Sequence, residues 1–280
     1  MRDTIRSIKN NLYGSIIVRS LLSICIIISS LLIFGCGKQG APTIQKDSLL
    51  RTSEVKKQKP LEGIDFINTD NRANARLEFY YYIPSEVMKN QHIEYPILVC
   101  IPGLSGRGEQ FVTPIFKEFA EKEGFVIVAP SFVWDQENWS TQRSYQYPDV
   151  WSGNALIAIT KKLINTKKLH SLKLYLYGVS AGAQFALRFA LWRPDLCAAS
   201  VAHASGGTVI PERRINVRFF VSVGKEDRER IDKAESFYVQ SRKLGINVLY
   251  KQYEGGHMLP PQQIEDGLRF LKETRNDQRI

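Results

Sequence analysis

Residues 172–182 read LKLYLYGVSAG and indicate the fold more directly than any other part of the chain. The first six residues are mostly apolar, as in a strand that is buried on both faces. The last five match a G-x-S-x-G motif, and a helix-like stretch begins at about residue 181. A strand, a glycine-flanked serine and a helix in this order are typical of a nucleophile elbow. The alternative is a serine that only caps the helix, but this context predicts that Ser180 is a nucleophile.

Strand-like and helix-like segments alternate along most of the chain. Predicted strands lie at 75–83, 96–101, 125–129, 172–177, 197–202, 217–223 and 246–252. Predicted helices lie at about 109–123, 151–165, 181–193, 229–244 and 261–273. This alternation predicts a mostly parallel sheet that is covered by helices. The first two strands follow each other without a helix and are candidates for an antiparallel edge.

A serine hydroxyl is a weak nucleophile unless a base accepts its proton. Of the four histidines, only His257 follows the last predicted strand, in the glycine-flanked sequence EGGHM. His203 lies at a strand end and is expected to be a packed or hydrogen-bonded residue. His92 and His170 lie in polar connections and are expected to be solvated. His257 is therefore the candidate base for Ser180.

The acid that orients the base should lie between the serine and the histidine in chain order. Residues 224–227 read GKED and follow the predicted strand 217–223, so they reach the carboxyl edge of the sheet. Two carboxylates, Glu226 and Asp227, are available there. Their position in the chain does not show which of the two is the acid.

Together these motifs resemble those of the α/β-hydrolases over about residues 75–273. The chain is similar to the esterase branches that contain dienelactone hydrolases, feruloyl esterases and polyhydroxybutyrate depolymerases. The resemblance implies an α/β-hydrolase fold with a mostly parallel central sheet and helices on both faces. In that family the Asp of a G-x-x-D segment after the seventh strand supplies the acid, which favours Asp227 over Glu226. The histidine of a G-G-H segment before the last helix supplies the base, which falls on His257.

The family also implies an oxyanion hole made of two backbone N–H groups. One follows the nucleophile and falls on Ala181. The other lies in the loop after the third strand and falls on Leu104, within residues 102–106 (PGLSG). The family often has a histidine where Pro102 stands, but the donor is a backbone amide, so the departure leaves the function available.

Two connections suggest how a substrate reaches the site. Only residues 203–216 separate the strands at 197–202 and 217–223, where family members often insert a cap domain. We therefore expect no large cap and an open cleft that admits bulky or polymeric substrates. The segment 131–151 is long and aromatic, and such connections often line a site or act as a lid. Its candidate substrate-binding residues are Trp134, Trp139, Tyr145 and Tyr147; alternatively, these rings only cover the helix that starts near residue 151.

The leading functional hypothesis is a serine hydrolase that cleaves small or polymeric carboxylic esters through an acyl-enzyme on Ser180. This chemistry requires no metal and no organic cofactor, and no Cys/His spacing resembles a zinc site. One alternative is a serine peptidase of the prolyl-oligopeptidase type, although such enzymes usually carry another large domain in front. A second is a non-catalytic surface lipoprotein on a hydrolase scaffold. Cys100 and Cys197 could pair in an oxidising compartment, but they lie on separate predicted strands and are expected to be buried free thiols.

The amino-terminal segment resembles the export signal of a bacterial lipoprotein. Residues 21–34 form an uncharged apolar run after basic residues, too short for a comfortable membrane span of about 20 residues. The run leads into residues 33–36, IFGC, which are similar to a lipobox. The resemblance implies that Cys36 is acylated and that the protein is anchored in the bacterial cell envelope, facing outside the cytoplasm. The alternative is an uncleaved signal anchor.

The domain boundaries follow from these segments. Residues 1–35 are the predicted lipoprotein signal peptide, residues 36–60 a lipidated flexible tether, and residues 61–280 the catalytic domain. The tether is polar, rich in lysine and without aromatic residues, so it has too little apolar surface to offset the entropy of ordering.

The positive charge of the chain does not indicate a nucleic-acid partner. The net charge is +10, but residues 1–35 contribute +3 and residues 36–60 contribute +4, which leaves +3 for the remaining 220 residues. Nucleic-acid-binding domains concentrate basic residues on one face of the fold. The excess here lies in the signal and the tether, so we expect membrane contact through the lipid anchor and no nucleic-acid binding.

The lipobox resemblance makes a prediction about membrane attachment. Mature protein with an acylated Cys36 should partition into the detergent phase, because two or more acyl chains give stable anchoring. The Cys36→Ser variant should move to the aqueous phase, whereas Cys25→Ser, within the predicted signal, should not. Phase partitioning combined with mass spectrometry of the amino terminus measures this. A water-soluble mature protein that begins elsewhere than at Cys36 would contradict the prediction.

Overall fold

Eight strands form one central sheet in the computed structural model of the chain, which describes residues 58–104, 106–137 and 144–278. The strands are β1 (Leu61–Asn68), β2 (Arg76–Ile83), β3 (Glu94–Ile101), β4 (Val126–Pro130), β5 (His170–Val179), β6 (Cys197–His203), β7 (Arg218–Gly224) and β8 (Val248–Tyr253). Their spatial order is β1-β2-β4-β3-β5-β6-β7-β8. The β1–β2 and β2–β4 pairs are antiparallel and all the other neighbours are parallel. The prediction of a mostly parallel sheet is confirmed.

Seven α-helices accompany the sheet in the described part of the chain. They are α1 (Ser85–Lys89), α2 (Gly108–Phe111), α3 (Pro114–Glu123), α4 (Gly153–Lys167), α5 (Ala181–Trp192), α6 (Arg228–Lys243) and α7 (Pro261–Asp277). A single turn of π-helix at Pro148–Ser152 leads directly into α4, and a 3₁₀ turn lies at Arg72–Asn74. The predicted signal peptide and most of the predicted tether, with Cys36, lie outside the described residues.

The two faces of the sheet carry separate apolar layers. In β2 the side chains of Phe79 and Tyr81 point to one layer, and those of Tyr80 and Tyr82 to the other. This alternation follows from the two-residue period of a strand. Helices α4, α5 and α6 pack in the first layer, and α3 and α7 pack in the second. The expectation of helices on both faces is therefore confirmed.

Strand β1 and helix α1 differ from the sequence-based expectation, which predicts neither. No residue of the edge strand β1 is fully buried. Its charged residues Glu62 and Asp65 pair with Lys117 and Lys162 on neighbouring helices. Its apolar pattern is therefore too weak for a prediction. The antiparallel edge exists, but β1 and β2 form it, and the short helix α1 separates β2 from β3.

Three further features bear on the expectations. Residues 204–217 join β6 to β7 without a helix or strand, so no cap domain lies at this position. Cys100 and Cys197 are buried free thiols in opposite apolar layers, as predicted. Burial raises the pKa of both thiols. None of the helices in the described ranges is long and apolar enough to cross a membrane.

The burial of α5 makes a prediction about stability. Phe189 is fully buried against the sheet, and replacing it with alanine should lower the free energy of unfolding by about 3–5 kcal/mol. The control is Val239→Ala on α6, where the side chain is 47% exposed and the change should stay within about 0.5 kcal/mol. Urea unfolding followed by circular dichroism measures both. Equal stabilities of the two variants would mean that α5 does not pack as described.

Candidate active site

Ser180 stands at a strained turn between β5 and α5. Its backbone has φ 55° and ψ −115°, a conformation that residues other than glycine rarely adopt. The turn is tight enough to exclude side chains at both flanking glycines. A Cβ atom on Gly178 would lie 2.2 Å from the carbonyl oxygen of Gly182, and one on Gly182 would lie 2.1 Å from that of Ile101. The G-x-S-x-G segment thus forms the elbow expected from the sequence.

Backbone hydrogen bonds hold the elbow in place. The N–H of Ser180 donates to the carbonyl oxygen of His203 at the end of the neighbouring strand β6, at 2.8 Å. The carbonyl oxygen of Ser180 accepts from the N–H groups of Ala183 and Gln184, at 3.1 and 3.2 Å. The strained residue is therefore anchored both to the sheet and to the helix. This anchoring leaves the hydroxyl group to point out of the turn.

His257 and Asp227 complete a hydrogen-bonded chain with Ser180. The Nε2 atom of His257 lies 3.1 Å from Ser180 Oγ, and its Nδ1 atom lies 2.8 Å from Asp227 Oδ2. The His257 side chain is 40% exposed, whereas that of Asp227 is 4% exposed. The structure thus brings together the three residues that the sequence predicts as nucleophile, base and acid. The nucleophile is accessible and the acid is enclosed.

The choice between the two adjacent carboxylates is resolved by their directions. Asp227 immediately precedes α6 and points inwards to His257, whereas Glu226 is exposed. The backbone N–H of Glu226 donates to the carbonyl oxygen of Gly255 at 3.0 Å, which ties this loop to the loop that carries His257. Asp227 is the only one of the two that contacts the imidazole.

Arg230 is a member of this site that sequence reasoning did not find. Its Nη1 atom donates to Asp227 Oδ1 at 2.9 Å, so the two oxygens of the carboxylate have different partners. The side chain of Arg230 is only 20% exposed. The available signal was the three-residue spacing of Asp227 and Arg230 at a predicted helix start, where such pairs lie on one face. The pair fixes the rotation of the carboxylate.

The two predicted oxyanion donors lie on either side of the elbow. Ala181 is the first residue of α5, and an N–H at this position has no partner within its own helix. Leu104 follows β3 in a turn closed by a hydrogen bond from Gly106 N to Gly103 O. This turn abuts the nucleophile, since a Cβ atom on Gly103 would stand 3.5 Å from Ser180 Cβ. The turn that carries Leu104 therefore lies beside Ser180, and Ala181 follows Ser180 directly in the chain.

The four aromatic candidates for substrate binding have different environments. Trp134 is 38% exposed and lines a cleft of about 340 Å³ together with Gly106 of the turn after β3. Tyr147 is half-buried under the guanidinium group of Arg188, 4.0 Å from its ring centre, and lines a second cleft of about 630 Å³. Trp139 lies outside the described residues. Trp134 and Tyr147 remain candidates for substrate contact.

Tyr145 requires a correction. It is 2% exposed, its ring stacks on Phe132 at 4.8 Å, and its hydroxyl donates to the carbonyl oxygen of Pro102 at 3.3 Å. A buried ring cannot offer a surface to a substrate. Tyr145 instead supports the turn that carries Leu104. Tyr145 is therefore a packed residue, and its stacking partner is Phe132.

The other histidines have the environments expected for them, although His170 is the first residue of β5 and does not lie in a connection. His203 is fully buried between Tyr177, Ser222 and Gln263, and burial lowers its pKa to about 3. His92 and His170 are exposed. None of the three contacts Ser180 through its side chain in the described hydrogen bonds. His257 is the histidine at the elbow.

Comparisons with known proteins identify the fold class. The strand order and the elbow belong to the α/β-hydrolase fold, and solved structures of that fold are similar to this chain. A ferulic acid esterase has a TM-score of 0.59 at 14% identity, covering 77% of this chain and 99% of that one. An S-formylglutathione hydrolase from Agrobacterium tumefaciens has a TM-score of 0.61 at 15% identity, covering 78% and 96%. The fold predicted from the sequence is confirmed.

Sequence comparison adds relatives that match a shorter part of the chain. The chain is 26% identical over 138 residues to a probable acetylxylan esterase A of Aspergillus clavatus, and 27% identical over 139 residues to the acetylxylan esterase A of Emericella nidulans. Each match covers 48% of this chain and 43% of the relative, so the chain spans less than half the length of these curated relatives. No family model matches the sequence.

The geometry of the two carboxylates makes a prediction about the reactivity of Ser180. Asp227→Asn keeps the shape of the side chain but favours the wrong tautomer of His257, which costs about 10⁴ in kcat in the serine-protease template. Labelling of Ser180 by a fluorophosphonate should therefore slow by several orders of magnitude. The matched control, Glu226→Gln, removes an exposed charge and should change the rate less than about tenfold. Slow labelling of Glu226→Gln with fast labelling of Asp227→Asn would reverse the assignment.

Proposed function

We propose that the protein is a serine hydrolase that cleaves carboxylic esters through an acyl-enzyme on Ser180. The observation that carries the proposal is the hydrogen-bonded chain from Ser180 Oγ to His257 Nε2, at 3.1 Å, and from His257 Nδ1 to Asp227 Oδ2, at 2.8 Å. Such a chain activates a hydroxyl group that is otherwise a weak nucleophile. Acetylxylan esterases among the sequence relatives and ferulic acid esterases among similar structures support the ester as the bond that is cleaved.

In the first half of the reaction, Ser180 Oγ attacks the carbonyl carbon of the ester while His257 Nε2 takes the hydroxyl proton. The carbonyl oxygen becomes an oxyanion, and the N–H groups of Leu104 and Ala181 stabilise its charge. The tetrahedral intermediate then collapses. The bond to the alcohol breaks, and His257 gives its proton to the leaving alkoxide, which leaves an acyl group on Ser180.

In the second half, water replaces the alcohol. His257 accepts a proton from the water as its oxygen attacks the acyl carbon, and it returns this proton to Ser180 when the acid leaves. Asp227 stabilises the imidazolium in both halves and holds Nδ1 protonated, so that Nε2 is free to accept. Arg230 orients the carboxylate through its other oxygen. The cycle consumes one water and needs no metal or organic cofactor.

The lack of a cap domain between β6 and β7 supports bulky or polymeric esters as substrates. Residues 204–217 form a connection without a helix or strand. The clefts lined by Trp134 and by Tyr147 offer aromatic surfaces on which acyl or sugar rings can stack. One similar structure is a ferulic acid esterase from Anaeromyces mucronatus in complex with ferulic acid, with a TM-score of 0.59 at 15% identity. An aromatic or sugar-linked ester fits these observations.

The proposed place of action is the bacterial cell envelope, with the catalytic domain facing outside the cytoplasm. The apolar run at residues 21–34 and the lipobox-like IFGC at 33–36 support export and acylation of Cys36. The polar segment up to residue 60 would then hold the catalytic domain away from the membrane. An enzyme tethered in this way acts on substrates that lie outside the cytoplasm.

Ester turnover by purified protein tests the proposal. A chain-length series of p-nitrophenyl esters, compared with feruloyl and acetyl-sugar esters, should give saturable hydrolysis. Ser180→Ala should abolish it because no other group can form the acyl-enzyme. The matched control is Ser171→Ala, at the opposite end of β5, which should retain full activity. Unchanged turnover in folded Ser180→Ala protein would refute the proposal, and hydrolysis of prolyl peptides but no ester would favour the peptidase alternative.

A further inference from the structure

Four polar side chains form a buried hydrogen-bonded cluster beneath the elbow. Tyr177, His203, Ser222 and Gln263 are each at most 1% exposed. His203 Nε2 lies 2.9 Å from the Tyr177 hydroxyl, and His203 Nδ1 contacts Ser222 Oγ and lies 3.2 Å from Gln263 Nε2. Gln263 Nε2 also donates to Ser222 Oγ at 2.6 Å. His203 is therefore the centre of the cluster.

Each member of the cluster lies on an element that carries or supports a triad residue. Tyr177 lies on β5, three residues before Ser180, and Ser222 lies on β7, five residues before Asp227. Gln263 lies in the first turn of α7, six residues after His257.

His203 ends β6, and its carbonyl oxygen accepts the 2.8 Å hydrogen bond from the N–H of Ser180. One imidazole thus joins the three segments that bring the nucleophile, the acid and the base together.

Helix α7 approaches this cluster closely. A Cβ atom on Gly267 would lie 2.8 Å from the Tyr177 ring and 3.0 Å from His203 Nε2, so any larger residue would push the helix away. The loop that carries His257 ends at Pro260, and α7 begins at Pro261. A shift of α7 would therefore be transmitted to His257. The contact at Gly267 and the amide of Gln263 fix the start of this helix against β6 and β7.

The cluster is insensitive to pH in the range where a histidine base works. Burial lowers the pKa of His203 to about 3, so its imidazole is neutral near pH 7. Burial also raises the pKa of Tyr177. Neutral groups that are fully enclosed hold one geometry while His257 gains and loses protons. A triad needs such constancy, because its groups must be held within about 0.5 Å of the productive arrangement.

We propose that His203 is a positioning residue that aligns Ser180, Asp227 and His257 through its contacts with Tyr177, Ser222 and Gln263. The inference rests on the proposed serine-hydrolase function. His203 touches no substrate, so its effect should fall on the chemical step and not on binding. Loss of one contact should lower kcat, because a displacement of about 1 Å caused by a distant mutation can cost about 10²-fold in rate.

Three conservative variants test the proposal without replacing His203 itself. Tyr177→Phe, Ser222→Ala and Gln263→Met each remove one hydrogen-bonding group and keep the approximate shape of the side chain. Each should lower kcat about 10- to 100-fold and leave KM within about twofold. The rate of fluorophosphonate labelling of Ser180 should fall in parallel. The low-field proton resonance of the hydrogen bond between His257 Nδ1 and Asp227 should broaden or shift.

Two matched controls separate positioning from stability. Tyr175 lies on the same strand as Tyr177 but farther from the elbow. Tyr175→Phe removes a hydroxyl that contacts Gln278 at the end of α7. Ser200→Ala removes a buried hydroxyl on β6 that has no hydrogen-bond partner among the described residues. Both should keep the kcat, the labelling rate and the proton resonance of the wild type, whatever their melting temperatures.

The outcomes distinguish this proposal from the proposed function. Variants that melt earlier but keep kcat, labelling rate and the proton resonance would overturn the positioning role and leave the esterase proposal intact. Slow labelling and a perturbed resonance in the variants would support positioning even if the wild type hydrolysed none of the esters, in which case only the substrate assignment would fail. A loss of kcat in Tyr175→Phe as large as in Tyr177→Phe would also overturn the proposal.

Discussion

The strained backbone of Ser180 is the constraint on which the rest of the site depends. A residue with a side chain in the φ 55° conformation costs roughly 1–3 kcal/mol, so the surrounding structure must enforce it. The two elbow glycines allow β5 and α5 to approach, and the His203 carbonyl oxygen holds the N–H of the serine. Burial of the apolar face of α5 against the sheet offsets the strain. The hydroxyl group is therefore held at the carboxyl ends of the parallel strands, in a fixed direction.

The parallel part of the sheet determines where the partners of the serine can stand. Strands β5 to β8 run in the same direction, so the segments that follow them meet at one edge. This edge receives the elbow after β5, the acid after β7 and the histidine after β8. The residues involved are 77 and 30 positions apart in the chain, and only the sheet brings them within hydrogen-bonding distance. The buried cluster around His203 lies at the same edge and links the strands below the reacting groups.

Local patterns were sufficient for most of the fold. The central strands are continuous apolar runs because both of their faces are covered, and this signal does not depend on distant residues. The edge strand β1 carries charges that are paired with Lys117 on α3 and Lys162 on α4, so its local pattern resembles a loop. Tyr145 shows the same limit for the prediction of function. The local sequence around an aromatic residue in a long connection is the same whether its ring faces a substrate or the core.

The amino-acid sequence by itself determined the elbow, the identity of the nucleophile candidate and the order of serine, acid and histidine along the chain. The elbow and the nucleophile candidate depend on residues within a few positions of each other, where sterics and apolar periodicity act directly, and the order of the three residues is given by their positions in the chain. Only the tertiary structure decided that Asp227 and not Glu226 faces the imidazole, that Arg230 takes the second carboxylate oxygen and that His203 lies beneath the elbow. The physical reason is that a side chain's direction at the end of a strand is set by the neighbouring strands and helices, which are distant in the sequence.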